Sequence, residues 1–221
     1  VMILMMPFWK VKVIRNLKKG YKISRTVLFC NHLSSLDPWL VNKITIFSNS
    51  VFIFKSSLYK IPIAGQGLYL SANIPIYFTS EKGGWGVKPG SINDVMKKAK
   101  ELNDKNMSLL IYPEGTRSMN GNLQMFRPGF FRYAIENNVE ILPCALHATN
   151  KLWPLKTMLV NPGTIYFSFG EPFYPTPGMS VDELKEKTRN MVFNLIKEFP
   201  DYDPKYDRLA KAPVAARGHG I

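Results

Sequence analysis

The sequence predicts a single α/β domain in which helices flank a central sheet, and three observations carry that expectation. Short apolar runs at 26–30, 51–54, 109–112, 140–146 and 164–169 have the length and residue types of strands, and they alternate with helical patterns. A chain of 221 residues with 46% hydrophobic and 20% charged residues has the composition of one globular domain with a substantial core. Two of the apolar runs lead directly into polar islands, as strands do where they end at the crevice of an open sheet.

The elements follow in chain order. Residues 1–9 form an apolar run, and Lys10, Lys12, Arg15, Lys18, Lys19, Lys22 and Arg25 come after it. A helix needs about 20 apolar residues to cross a bilayer, so this run is too short to span one. Apolar residues beside a basic cluster suit a segment lying in a membrane interface, and residues 1–25 are expected to be such a segment. A chain that opens on Val rather than Met reads as the trimmed end of a longer product. The run 26–30 then reads as a buried strand. Asp37-Pro38 opens a helix through Trp39, Leu40, Val41 and Ile44, with Pro38 suited to its first position.

Residues 51–54 read as a second strand, followed by a segment punctuated by Pro62 and Gly65. Ser91 is expected to cap a helix, with Asp94 in the place of the usual Glu, and Ile92, Val95, Met96, Ala99 and Leu102 form its core face. Lys97, Lys98 and Lys100 fall on its solvated side. Pro128 opens a helix carrying Phe130, Phe131, Tyr133, Ala134 and Ile135, and Asn137-Asn138 ends it. Ser180 and Glu183 form a capping box before a closing helix with Leu184, Thr188, Met191, Val192, Leu195 and Ile196 on its apolar side. The main domain is thus expected over 26–199, and 200–221 as a poorly packed tail.

The chemistry sits in the islands. His32 and Asp37 lie five residues apart, the first at a strand exit and the second near a helix start. A turn between them folds the carboxylate back onto the ring, fixing the tautomer so that the other ring nitrogen faces outward as a base. The second island is Tyr112-Pro113-Glu114-Gly115-Thr116-Arg117-Ser118. Gly115 permits a tight turn and close approach of a ligand, and Arg117 offers a planar fork for two oxygens of a phosphate. Glu114 is expected to accept hydrogen bonds from substrate hydroxyls or to orient Arg117. His147 reads as structural, and His219 falls in the tail.

Several other chemistries lack their residues. There is no Gly-x-Ser-x-Gly, no Gly-x-Gly-x-x-Gly, no Gly-x-x-x-x-Gly-Lys and no His/Cys spacing suited to zinc, so no metal is expected. Cys30 and Cys144 each fall in an expected strand and read as buried thiols. The balance of 29 Lys and Arg against 16 Asp and Glu, a net +13, draws the chain to polyanions or to anionic membranes. Many of the aromatics lie in apolar runs rather than between cations, which argues against nucleic acid as the partner.

The two islands, Asn31-His32-Leu33-Ser34-Ser35-Leu36-Asp37 and 112–118, together with Ile141-Leu142-Pro143-Cys144-Ala145-Leu146, resemble three blocks of the glycerolipid acyltransferase family over roughly residues 24–175. That family includes the 1-acylglycerol-3-phosphate acyltransferases. The resemblance implies a mixed central sheet of the glycerol-3-phosphate acyltransferase type. It also implies transfer of an acyl group from a thioester, acyl-coenzyme A or acyl carrier protein, to the free hydroxyl of 1-acylglycerol-3-phosphate (lysophosphatidic acid), giving phosphatidic acid. Glycerol-3-phosphate and other lysophospholipids are the alternative acceptors, and a basic lipid- or nucleic-acid-binding protein is the non-enzymatic alternative. His32 and Asp37 take the catalytic places, and Lys55, Glu114, Gly115, Thr116, Arg117 and Arg127 the substrate-binding ones. No cofactor is implied beyond the acyl donor as co-substrate, and the implied place of work is a membrane surface. One departure stands out. Residues 70–78 occupy the family's second block without its usual glycine and arginine, and the nearest cation is Lys82 in the turn 81–86.

Overall fold

The computed structural model describes residues 9–45, 49–62, 64–79, 88–154, 157 and 160–204. The apolar start at 1–8, the turn around Lys82, and the tail beyond 204 with His219 lie outside the described residues.

Seven strands form one sheet in the order β1-β7-β6-β2-β5-β3-β4. They are β1 (Trp9–Arg15), β2 (Thr26–Cys30), β3 (Ser50–Lys55), β4 (Ile74–Ile76), β5 (Ser108–Ile111), β6 (Glu140–His147) and β7 (Gly163–Phe169). Strands β6, β2, β5, β3 and β4 run parallel, whereas β7 is antiparallel to β6 and carries β1 parallel to itself. The sheet is therefore mixed, as the resemblance implied.

Every residue of β2 is buried, because helices cover both faces of the parallel block and the side chains alternate between them. Val27 and Phe29 point into a core completed by α3 (Ser91–Asp104), α4 (Gly129–Glu136) and α6 (Val181–Lys197). Leu28 and Cys30 point the other way, into a core with Leu36 and with Leu40 and Val41 of α1 (Asp37–Ile44), Leu68 of α2 (Ala64–Tyr69) and Leu152 of α5 (Thr149–Leu152). Phe29 stacks on Phe131 with ring centroids 4.2 Å apart, which fastens α4 to the sheet centre. Cys30 and Cys144 face each other in register across β2 and β6 as free, buried thiols, and burial pushes both well above their ordinary values.

Two expectations are corrected. Ser91 is not the cap of α3. Gly90, at φ +81°, takes that position, and the Ser91 hydroxyl instead accepts the Tyr77 N–H at 3.1 Å, tying the helix to the end of β4. The sheet begins before residue 26, since Trp9–Arg15 pairs along β7 as an edge strand and the Trp9 indole donates to the Asn161 carbonyl at 2.8 Å. Phe199, the last residue of the expected domain, is buried, and Asp201 in the expected tail lies 3.5 Å from the His147 ring. The capping box of α6 forms as expected, with the Ser180 hydroxyl accepting from the Glu183 N–H and the Glu183 carboxylate accepting from the Ser180 N–H.

This topology places the site. From β2 the chain crosses to β3 on one side, and from β5 it crosses to β6 on the other, so the direction of winding reverses between the adjacent strands β2 and β5. In open α/β sheets ligands bind beyond the carboxyl ends of the strands at such a reversal. Both polar islands leave the sheet there.

Candidate active site

His32 leaves the sheet two residues after β2. Its Nδ1 lies 2.8 Å from Oδ2 of Asp37, the first residue of α1. The same carboxylate oxygen accepts the Leu33 N–H at 2.6 Å and the Ser34 N–H at 2.8 Å, so the turn is wound around it. Asp37 is fully buried. An ionised carboxylate only accepts, so Nδ1 carries the proton and Nε2 keeps its lone pair. The imidazole is 18% exposed and stacks on the Tyr112 ring at 4.2 Å, which fixes its plane as Asp37 fixes its tautomer.

The second island locks onto the first. Oε1 of Glu114 accepts the His32 N–H at 2.8 Å, Oε2 accepts the Gln124 N–H at 3.0 Å, and the residue is 3% exposed. The Ser118 N–H donates to the His32 carbonyl at 2.8 Å, so His32 is held through both of its backbone polar groups. Burial pushes the Glu114 carboxyl up to about 7, while the two N–H donors pull in the opposite direction. Glu114, expected to accept from substrate hydroxyls or to orient Arg117, here accepts from two backbone N–H groups. Its oxygens are already committed to backbone donors, and it acts as a strut between the two strand exits.

Arg117 is exposed, and its guanidinium donates to the Ser35 hydroxyl at 2.6 Å, within the turn that joins His32 to Asp37. A cation from the loop after β5 therefore contacts the loop after β2 that carries the base. Gly115 adopts φ +70°, and a Cβ there would come 2.5 Å from Nε of Arg127, so the glycine makes room for the second arginine. The Arg127 N–H donates to the Pro113 carbonyl at 2.8 Å, which closes the loop on itself. Thr116 is half-buried, and its carbonyl accepts from the Gln124 side chain at 3.3 Å. Lys55 ends β3, one strand further along the same edge, with its ammonium 5.4 Å from the centroid of the Phe78 ring.

The structure thus ties His32, Asp37, Glu114 and Arg117 together by direct or single-residue links, sets Gly115 against Arg127, and leaves Lys55 flanking them. Sequence reasoning missed three supports. The Tyr112 ring carries the imidazole, Ser35 holds Arg117, and Asn31 spans to β6 by accepting the Leu146 N–H at 2.7 Å and donating to the Leu146 carbonyl at 2.9 Å. Each of these residues lies inside an island, which is the only local signal of its role. His147, on β6, is structural as expected. It stacks on Phe199 and burial holds its imidazole below the ordinary value.

The arrangement can abstract a proton at Nε2 of His32 and hold an anion close by at Arg117. Known proteins resemble this chain in sequence and fold. Residues 10–147 match the family described as Acyltransferase. A 1-acyl-sn-glycerol-3-phosphate acyltransferase of Cocos nucifera is 28% identical over 88% of this chain and 58% of its own length. The chloroplastic 1-acyl-sn-glycerol-3-phosphate acyltransferase LPAT1 of Arabidopsis thaliana is 28% identical over 84% of this chain and 49% of its own. The chain therefore spans about half the length of these curated relatives. The crystal structure of the 1-acyl-sn-glycerophosphate acyltransferase PlsC from Thermotoga maritima superposes with a TM-score of 0.65 at 22% identity, covering 93% of this chain and 74% of that one, a likeness of fold. With the family pattern covering more than half of the residues, and both islands inside it, the chain belongs to the acyltransferase family.

Proposed function

We propose that this chain transfers a fatty acyl group from an acyl thioester, acyl-coenzyme A or acyl carrier protein, to the free hydroxyl of 1-acylglycerol-3-phosphate, yielding phosphatidic acid. The observation that carries the reading is the His32–Asp37 dyad with Arg117 anchored on the same turn. Nε2 of His32 takes the hydroxyl proton, and the oxygen attacks the thioester carbonyl. The tetrahedral intermediate collapses with loss of the thiolate, which recovers the proton from the imidazolium. Asp37 stabilises that imidazolium, and no covalent acyl-enzyme is needed. Arg117, with Arg127 and Lys55, holds the acceptor phosphate, so binding at a remote group positions the reacting hydroxyl. The printed names of the relatives support this acceptor, and the net charge of +13 supports work at an anionic membrane surface.

The test is turnover of purified protein with a labelled acyl thioester and each acceptor in turn, 1-acylglycerol-3-phosphate, glycerol-3-phosphate and an uncharged monoacylglycerol, in detergent or vesicles. Labelled phosphatidic acid that disappears in the His32→Ala variant is the expected result. Preferential acylation of the uncharged acceptor would overturn the assignment of the phosphate site.

A further inference from the structure

We infer that Arg189, on α6 and beyond the residues 10–147 that match the family, is a positioning residue for the reaction, holding His32 in place through Glu114. Its guanidinium is buried, the residue being 8% exposed, with Nε donating to the Gln124 carbonyl at 3.1 Å and Nη2 to the Leu123 carbonyl at 3.3 Å. Leu123 and Gln124 lie between β5 and α4, outside any strand or helix, so their main-chain groups need partners from elsewhere. The Leu123 carbonyl and the Gln124 N–H belong to one planar peptide group and point to opposite sides of the chain. Arg189 grips that plane at its oxygen, and the N–H on the far side donates to Oε2 of Glu114 at 3.0 Å. Oε1 of Glu114 takes the His32 N–H at 2.8 Å, so a single peptide and a single carboxylate lead from α6 to the main chain of the base.

Packing alone does not explain the residue. The other buried positions of α6 are Leu184, Thr188, Val192 and Leu195, and an apolar side chain would sit beside them without taking a guanidinium out of water. What the guanidinium adds is direction. Nε and Nη2 form a rigid fork that meets two successive carbonyls at once, which fixes the tilt of the peptide between Leu123 and Gln124 as a single donor would not. The Gln124 side chain ties the same stretch to the second island by donating to the Thr116 carbonyl at 3.3 Å, next to Arg117. The inference rests on the reading that His32 is the base in acyl transfer, but the hold on its main chain is measured without turnover, so the two can fail separately.

The experiment compares the wild type with Arg189→Met, which keeps much of the apolar contact, and Arg189→Lys, which keeps the charge without the fork. Amide hydrogen exchange is read at Gln124 and His32, with Leu28 in the middle of β2 as the reference. Arg189→Met should speed exchange at Gln124 and His32 about tenfold and leave Leu28 within about twofold of the wild type, because a local hold is lost while the sheet centre stays closed. With a labelled acyl thioester and 1-acylglycerol-3-phosphate, the same variant should lower kcat about tenfold, since a small misplacement of the base slows the reaction. In a Glu114→Ala background it should lower kcat less than about twofold, because the link to His32 is already cut. Should Arg189→Met fail to fold, Arg189→Lys carries the same comparisons at about threefold. An Arg189 that only stabilises the fold would speed all three amides together and lower kcat by one factor in both backgrounds, and either result would overturn the inference. Wild-type exchange rates at Gln124 and His32 in both variants would overturn it as well. Absence of turnover by the wild type, alongside the expected exchange, would overturn the acyltransferase reading and leave the hold on His32 standing.

Discussion

The carboxylate of Glu114 accepts the main-chain N–H of His32 at 2.8 Å, so the exit of β5 holds the exit of β2 at the point where the imidazole leaves the sheet. Its other oxygen takes the Gln124 N–H, and the group is buried. Glu114→Ala therefore leaves two donors without an acceptor, at about 1–3 kcal/mol for each that stays dry. Urea denaturation should show the loss, and activity should fall with it because His32 is no longer held.

The same residue gives the chain a pH dependence of known sign. Burial raises the Glu114 carboxyl from 4.5 to about 7, so the folded chain binds this proton more tightly than the unfolded chain. The stability it contributes is fully present below the unfolded value and is lost as pH rises through the folded one. Measured as the wild type minus Glu114→Gln, the free energy of unfolding should decline between pH about 4.5 and about 7 and flatten above. A difference that does not change over that window would show that the carboxyl titrates at its ordinary value.

Removal of the base is the sharpest test of the mechanism. General-base catalysis is worth about 100- to 10,000-fold, so His32→Ala should lower kcat by that order with little change in the melting temperature. Asp37→Asn should also lose about 100-fold or more in kcat, because an amide cannot hold Nδ1–H and stabilise an imidazolium as a carboxylate does. It should lose stability too, since Oδ2 of Asp37 accepts two backbone N–H groups as well as the ring.

Arg117 and Ser35 predict a different kinetic signature. Arg117→Ala should raise the acceptor KM by about tenfold or more and change kcat little, because a charge-assisted phosphate contact is worth about 1.5–3 kcal/mol and acts in ground and transition states alike. Ser35→Ala removes only the hydroxyl that aims the guanidinium, an exposed hydrogen bond worth about 1 kcal/mol, so the KM should rise less than about fivefold. Equal acceptor kinetics for wild type and Arg117→Ala would remove Arg117 from the phosphate site.

Gly115→Ala tests the close approach of the two chain segments. Alanine at φ +70° costs about 1–2 kcal/mol in backbone strain, and its Cβ would lie 2.5 Å from Nε of Arg127. The variant should be less stable by thermal unfolding and should bind the acceptor more weakly, since Arg127 has to move. Gly178, also at positive φ but with open space around it, offers a comparison in which only the strain is present.

Much of this molecule is legible in the chain itself. The buried strands, the helix opened by Asp37-Pro38, the capping box of α6 and the pairing of His32 with Asp37 all follow from residue types within a few positions of one another. Such features depend on local periodicity, local caps and a short turn, which a single sequence displays directly. What only the tertiary structure decided lies between segments far apart in the chain. Glu114 reaches His32, and Arg117 reaches Ser35, across 82 residues, and Asn31 reaches Leu146 across 115. Trp9–Arg15 becomes an edge strand only because β7 is there to receive it. A carboxylate has the same letters whether it faces a substrate hydroxyl or a buried backbone N–H. Strand order and register determine which, and they are fixed by packing of the whole sheet rather than by any neighbour in sequence.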